Sequence, residues 1–252
     1  MLALEFSDYL IAFILIAFAG FVDSIAGGGG LITVPTYLFL GLPPQSLLGT
    51  NKLVSTVGAS LAVWRYSKAR AIHWQKFKWP ILTSFVASIF GAWLSRFQSK
   101  EFMVSLLLIV TPLILFISTK KIHLHFERLI PESKRFLLIM MLSFLLGGYD
   151  GFFGPGTGSF FLFFLLYLLN LKEKEASANA RILNYASNFG ALLFFVSSWN
   201  FSFQIAALGI GASLLGNFLG SHMVIHHAAR WVRPLFFLVL FGLLFKLIAE
   251  YF

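Results

Sequence analysis

Gly20-Phe21-Val22-Asp23 followed by Gly27-Gly28-Gly29-Gly30, and Gly147-Gly148-Tyr149-Asp150 followed by Gly154-Pro155-Gly156-Thr157-Gly158, are the two stretches on which the fold turns. They recur at a constant offset. A looser match follows each, Asn51-Lys52 against Asn179-Ala180-Arg181 and Gly58-Ala59 against Gly190-Ala191. Two homologous halves account for this repetition, one over about 8–119 and the other over about 136–251, within a single domain covering 1–252. Neither glycine run continues a regular helix comfortably, because glycine favours unwinding and Pro155 lacks an amide hydrogen.

Apolar sequence surrounds both breaks. Long apolar segments run roughly from Tyr9 to Ala26, Leu47 to Trp64, Trp79 to Ser95 and Phe102 to Thr119, then Phe136 to Phe153, Ala180 to Ser198, Phe203 to Ser221 and Trp231 to Ala249. Each is long enough to cross the hydrocarbon core of a bilayer, which takes roughly 20 residues as a helix. Leu31 to Leu40 and Ser159 to Leu169 directly follow the glycine breaks and are too short to cross as straight helices. They read as half-helices.

The composition agrees. Of 252 residues, 58% are hydrophobic and 12% charged, against about 25% charged in soluble domains, and the mean hydropathy is +0.84. From Ile182 to Ala229 there is no Asp, Glu, Lys or Arg. The expectation is an all-α, polytopic membrane protein with two inverted repeats, each of about four spanning helices plus a glycine-broken half-helix. The N-terminus carries Glu5 and Asp8 and no basic region, unlike a cleaved signal peptide, so the first helix is expected to stay.

A net charge of +9 raises nucleic acid as a partner, but the basic residues form short clusters between apolar runs rather than a basic domain. Such clusters mark cytoplasmic loops, where Lys and Arg are retained. If each glycine-broken pair enters and leaves on one side, each half crosses an odd number of times and the halves are inverted. The cytoplasm then holds Arg65, Lys68, Arg70, Lys76 and Lys78; Lys120, Lys121, Arg128, Lys134 and Arg135; Lys172 and Lys174; and Arg230 and Arg233. Only Arg96 and Lys100 lie outside. A parallel arrangement puts Arg96, Lys100, Lys172, Lys174, Arg230 and Arg233 outside. Charge asymmetry therefore favours inversion.

Four charged residues sit within apolar sequence: Asp23, Lys52, Asp150 and Arg181. A charge at the centre of a membrane helix costs about 2.5–3.5 kcal/mol on insertion scales, so such groups face a cavity or a partner. Irregular backbone at membrane depth is likewise tolerated only where protein buries it or water lines it. After each break a new helix starts, and its free amides and positive dipole end favour an anion. The candidate binding set is therefore Gly27, Gly28, Gly29, Gly30, Thr33, Asn51, Lys52, Gly154, Gly156, Thr157, Gly158, Ser159 and Arg181. Asp23 and Asp150 are the candidate proton carriers. Two structural readings stand beside this one. Asp23 with Lys52, and Asp150 with Arg181, read equally as buried ion pairs that fix the broken helices, and the glycines as small residues that permit close packing.

Other features carry less. Gly27 to Gly30 is no dinucleotide fingerprint, since Ile32 stands where a third glycine belongs, and no Walker lysine follows. With no cysteine, and no Glu or Cys beside His222, His226 and His227, neither a cofactor nor a metal is expected. Trp64, Trp74, Trp79 and Trp231 read as interfacial anchors.

Phe21 to Pro35, followed by Gly49-Thr50-Asn51-Lys52-Leu53, resembles the N-terminal signature of the TauE/SafE sulfite exporter family, and Tyr149 to Gly158 resembles its second-half counterpart. The similarity extends over essentially the whole chain and is greatest to YfcA-like membrane transporters. It implies a duplicated transporter of sulfite, organosulfonates or related anions, with Asp23, Gly27 to Gly30, Asn51, Lys52, Asp150 and Gly154 to Gly158 on the central pathway. Arg181 stands near the second basic position, offset by up to two residues. The expected protein is a secondary transporter, not an enzyme, multi-pass in the bacterial cytoplasmic (inner) membrane and coupled to protons. Its partners are a small anionic substrate and the lipid bilayer, without nucleic acid, and self-association as a homo-oligomer stays open. Alternatives are a membrane-embedded enzyme using Asp23 and Asp150 as acid and base, and a passive anion channel.

Overall fold

The computed structural model describes residues 5–119, 131–169, 171–226 and, further on, 240–243, 245 and 248–249. Regular structure among them is helical throughout: α1 (Phe6–Ala26), α2 (Gly30–Phe39), α3 (Pro44–Lys68), α4 (Trp74–Leu94), α5 (Lys100–Thr119), α6 (Glu132–Phe152), α7 (Thr157–Leu168), α8 (Glu173–Ser197) and α9 (Phe203–His226). The expected span from Trp231 to Ala249 lies largely outside the described residues, as do Lys120, Lys121, Arg128, His227, Arg230 and Arg233.

Local chemistry sets the helix ends. Glu5 and Asp8 form a reciprocal capping box at the start of α1, which satisfies amides left free by helix geometry. Pro44 opens α3, where a missing amide hydrogen costs nothing. At a rise of 1.5 Å per residue, α2 and α7 reach only about 15 and 18 Å, half a hydrocarbon core of about 30 Å. Both are half-helices.

Small residues let the long helices touch. A Cβ on Gly20 in α1 would meet Ser213 O of α9 at 2.9 Å, and one on Gly147 in α6 would meet Ser84 O of α4 at 2.6 Å. Lipid tails are as apolar as leucine, so close backbone packing replaces the hydrophobic effect in holding such helices together. The two contacts correspond to each other when the halves are matched, first helix of one against fourth helix of the other.

Cross-helix bonds fix the directions. Gln204 Nε2 donates to Tyr9 Oη (2.9 Å) near the starts of α9 and α1, and Ser24 Oγ donates to Asn217 Oδ1 (2.7 Å) near their ends. Ser202 N–H donates to Thr50 Oγ1 (2.9 Å), and Arg65 Nη2 meets His222 Nδ1 (3.0 Å). Helices α1, α3 and α9 therefore run the same way. Asn179 accepts from His73 N–H (3.0 Å) and Ser84 Oγ donates to Leu183 O (3.1 Å), so α4 runs with α8. Ser88 of α4 faces Gly151 of α6 one turn beyond the Ser84 contact with Gly147, which adds α6 to this second set. Helix α3 crosses α8 in the opposite sense: Lys52 reaches Asn188, while Ala62 and Tyr66 pack with Ala178 and Ile182. Helix α2 turns back toward the start of α1, its Leu38 and the following Leu42 packing with Ala12.

Among the described residues, four helical stretches have the length and hydropathy of membrane spans, Phe6–Ala26, Trp74–Phe97, Lys134–Phe152 and Phe203–His226. They present exposed side chains such as Phe90, Leu137 and Phe218 on the outside. Helices α3 and α8 are as long but more polar, and they lie at the centre with Lys52, Asn51, Arg181 and Asn184 buried. The protein is a multi-pass membrane protein whose most polar helices are innermost. Trp64 and Trp79 are exposed at one end of the bundle, with Lys68 Nζ 4.0 Å and Lys78 Nζ 5.9 Å from their rings, as expected of interfacial anchors.

A candidate anion site between the broken helices

The glycine breaks interlock at the middle of the bundle. Gly27 has φ +71 and a Cβ there would collide with the backbone of Gly158 and Ser159. Gly154 has φ +99, and its Cβ would lie 2.9 Å from Lys52 Nζ. Only glycine combines that backbone with that proximity. Ser159 Oγ also donates to Ala26 O (3.1 Å), tying one break to the other.

Lys52 and Arg181 each stand ninth in their helices, α3 and α8. Helix α7 has 12 residues where α2 has 10, and these two extra residues are the offset that separates Arg181 from Lys52 in the sequence repeat. The longer half-helix accounts for the whole difference, since four residues separate half-helix from long helix in both halves. Both cations thus occupy the same structural position.

Their partners, however, are exchanged. Lys52 Nζ lies 2.9 Å from Asp150 Oδ2, with side chains 1% and 2% exposed, and Arg181 pairs with Asp23. Pairing within each half, Asp23 with Lys52 and Asp150 with Arg181, does not occur. The antiparallel crossing of α3 and α8 beside the interlocked breaks carries each cation to the other half's carboxylate. Further bonds hold the pairs: Lys52 Nζ donates to Asn188 Oδ1 (3.2 Å), Asn184 Nδ2 to Asp150 Oδ1 (3.4 Å), and Gly29 N–H to Asp23 Oδ1 (3.1 Å). Arg181 also donates to Asn217 Oδ1. Removing one member of such a pair strands a buried charge and typically costs about 3–5 kcal/mol.

A central cavity of about 260 Å³, counting its open mouth, lies among these groups. Asp23, Asp150, Asn51, Asn184 and Asn188 face it, with backbone supplied by Gly28, Gly30, Gly154, Gly156 and Gly158. Lys52 and Arg181 are not on its wall; they stand behind the carboxylates they bind. Of the expected hydroxyl donors, Thr157 lines the cavity but donates to Gly154 O (2.8 Å), and Thr33 donates to Asn51 Oδ1 (2.6 Å). Ser159 is turned to Ala26 instead. Gly27 lines a neighbouring cavity, and Gly29 contributes its amide to Asp23.

Asn184, Asn188 and Asn217 were missed by reading the sequence for charge. Their signal was positional: 181, 184 and 188 recur at the three- and four-residue steps of one helix face. Among the described residues no three His, Asp or Glu side chains gather as metal ligands. His222 is engaged with Arg65, and its ring lies 4.6 Å from that of His226.

Residues 12–247 match the family described as sulfite exporter TauE/SafE. A probable membrane transporter protein, ORF9, of Sinorhizobium sp. is 33% identical over 98% of this chain and 95% of its own length. Another from Haemophilus influenzae is 32% identical over 92% and 91%, and YfcA of Escherichia coli K12, also named a probable membrane transporter protein, 30% over 91% and 85%. No solved structure matches the chain. With a match over nearly its whole length and helices that supply a buried polar centre inside an apolar shell, this chain belongs to the TauE/SafE family, among transporters rather than enzymes.

Proposed function

We propose that the protein is a secondary transporter that carries a small sulfur-containing oxyanion, sulfite or an organosulfonate, together with a proton across the bacterial cytoplasmic membrane. The observation that carries this reading is the masking of Lys52 and Arg181 by Asp150 and Asp23 around the central cavity. The four groups sum to zero charge. An anion entering beside two ionised carboxylates is repelled, and low dielectric makes that repulsion strong. If a carboxylate takes up a proton, its grip on the cation weakens, and the ammonium or guanidinium turns to the anion as a charge-assisted donor. Anion and proton are then bound together and move together. Lys52 and Arg181 balance the substrate charge, Asp23 or Asp150 carries the proton, and Asn51, Asn184 and Asn188 orient oxygens.

The opposed directions of α3 and α8 and the exchanged ion pairs support two inverted repeats around this site, the arrangement that lets one half rock against the other. Basic residues also support the orientation. Arg65 and Lys68 end α3, while Lys76, Lys134 and Lys172 stand at the starts of α4, α6 and α8, all at one end of the bundle. That end is assigned to the cytoplasm.

Proteoliposome uptake of methanesulfonate tests the proposal, because this anion stays ionised at every working pH and leaves only protein groups to titrate. Saturable accumulation driven by an inward proton gradient is expected, with sulfite competing. Absence of saturable flux for both anions overturns the proposal, and flux that does not saturate marks a passive channel.

A further inference from the structure

A second, narrow cavity, of about 200 Å³ counting its open mouth, lies against the first on the basic-end side of the Arg181 and Asp23 pair. Ser24, Ala26, Gly27, Ser177, Arg181 and Asn184 form its wall. It shares Asp23, Gly158 and Asn184 with the central cavity, so the two meet at the ion pair. Arg181 lines this cavity, whereas Lys52 lines neither of the two. It is 3% exposed, two of its nitrogens are engaged by Asp23 and Asn217, and its Nε has no hydrogen-bond acceptor. A buried guanidinium donor without an acceptor is costly. Arginine suits forked oxyanion recognition, and an anion oxygen that reached Nε would supply the missing acceptor.

The cavity is built by sequence differences between the halves. Matching the motifs sets Ala26 against Phe153, and the fifth residues of α8 and α3 set Ser177 against Leu48. Phe153 and Leu48 are both 0% exposed and belong to one packed apolar cluster. Small side chains leave the corresponding space open beside Arg181. The two sides of the site are thus unlike: one is packed with apolar bulk, and the other keeps a small opening where Ile25, Leu162 and Ala180 stand beside Ser24, Ser177 and Arg181.

We infer that this hollow is a second oxyanion subsite, where sulfite or a sulfonate docks at Arg181 on the basic side before or after it occupies the central cavity. The inference rests on the anion reading above. It makes a countable prediction: two anions per chain at saturation, one on each side of the Arg181 and Asp23 pair.

Equilibrium binding of radiolabelled sulfite to the full chain in nanodiscs is the test. Two sites per chain are expected for the unmodified protein and one for Ser177→Leu, which installs the residue of the filled half. Ala26→Phe closes the hollow from the opposite wall and serves as the second variant, and the retained central site reports that each variant is folded. Two sites persisting in both variants, or a single site that both leave intact, overturns the subsite. A single site on the unmodified chain that both variants abolish likewise overturns the prediction of two anions per chain. No sulfite bound to the unmodified chain overturns the anion reading itself.

Discussion

Lys52 is held by a carboxylate 2.9 Å away and by the Asn188 oxygen at 3.2 Å, and it is fully buried. Lys52→Ala leaves Asp150 buried and uncompensated, so we expect a loss of about 3–5 kcal/mol in unfolding stability together with loss of flux. Lys52→Met combined with Asp150→Leu removes both charges. Thermal unfolding in detergent should return to within about 2 kcal/mol of the parent, while flux stays absent; recovered flux would contradict the role assigned to the cation. The exchanged pairing has its own check. A double-mutant cycle between Lys52 and Asp150 should give a coupling of about 1–3 kcal/mol, and the cycle between Lys52 and Asp23 a clearly smaller one. Equal couplings would mean that the carboxylates share the cations. The four charges were legible because a charge in apolar sequence demands an explanation. Asn184, Asn188 and Asn217 were not, since an amide is common enough in membrane helices that only its neighbours across the bundle reveal its task.

At the scale of elements, the breaks and half-helices set the site. The expected half-helices, Leu31 to Leu40 and Ser159 to Leu169, match α2 and α7 to within two residues at each end. Glycine and proline punctuate the backbone through sterics that any environment preserves. Span ends were less legible: α3 begins at Pro44 and α8 at Glu173, before the apolar segments read from Leu47 and Ala180. Hydropathy marks what lipid or protein buries, whereas backbone hydrogen bonds carry a helix on into its polar ends. Gly154→Ala forces a Cβ toward Lys52 Nζ at φ +99, and should cut flux at least tenfold, corresponding to about 1.4 kcal/mol or more. Gly41 has φ +75 but open space around it. Gly41→Ala should therefore cost comparable backbone strain, of order 1 kcal/mol, with flux retained, as vesicle uptake on matched protein amounts will show.

For the whole molecule, the consequential property is direction. Helices α1, α3 and α9 run against α4, α6 and α8, and the basic side chains collect where the first set ends and the second begins. Because the chain has no cysteine, single substitutions report accessibility without background. Arg70→Cys and Lys174→Cys should resist an impermeant maleimide added to intact cells and react after permeabilisation, whereas Ser99→Cys and Ser202→Cys should react at once. Immediate labelling of Lys174→Cys together with protection of Ser202→Cys would rule out the inverted arrangement.

The sequence by itself determined that this is a multi-pass helical membrane protein with two glycine-broken half-helices and four charges in apolar surroundings, because hydropathy, glycine sterics and the cost of a charge in lipid act on a residue wherever it is placed. Only the tertiary structure decided which carboxylate meets which cation, that the carboxylates rather than the cations face the central cavity, and that Asn184 and Asn188 complete it. Those outcomes depend on how α3 crosses α8 and how one break seats against the other. Contacts between residues more than a hundred positions apart fix that geometry, and no local property of the chain encodes it.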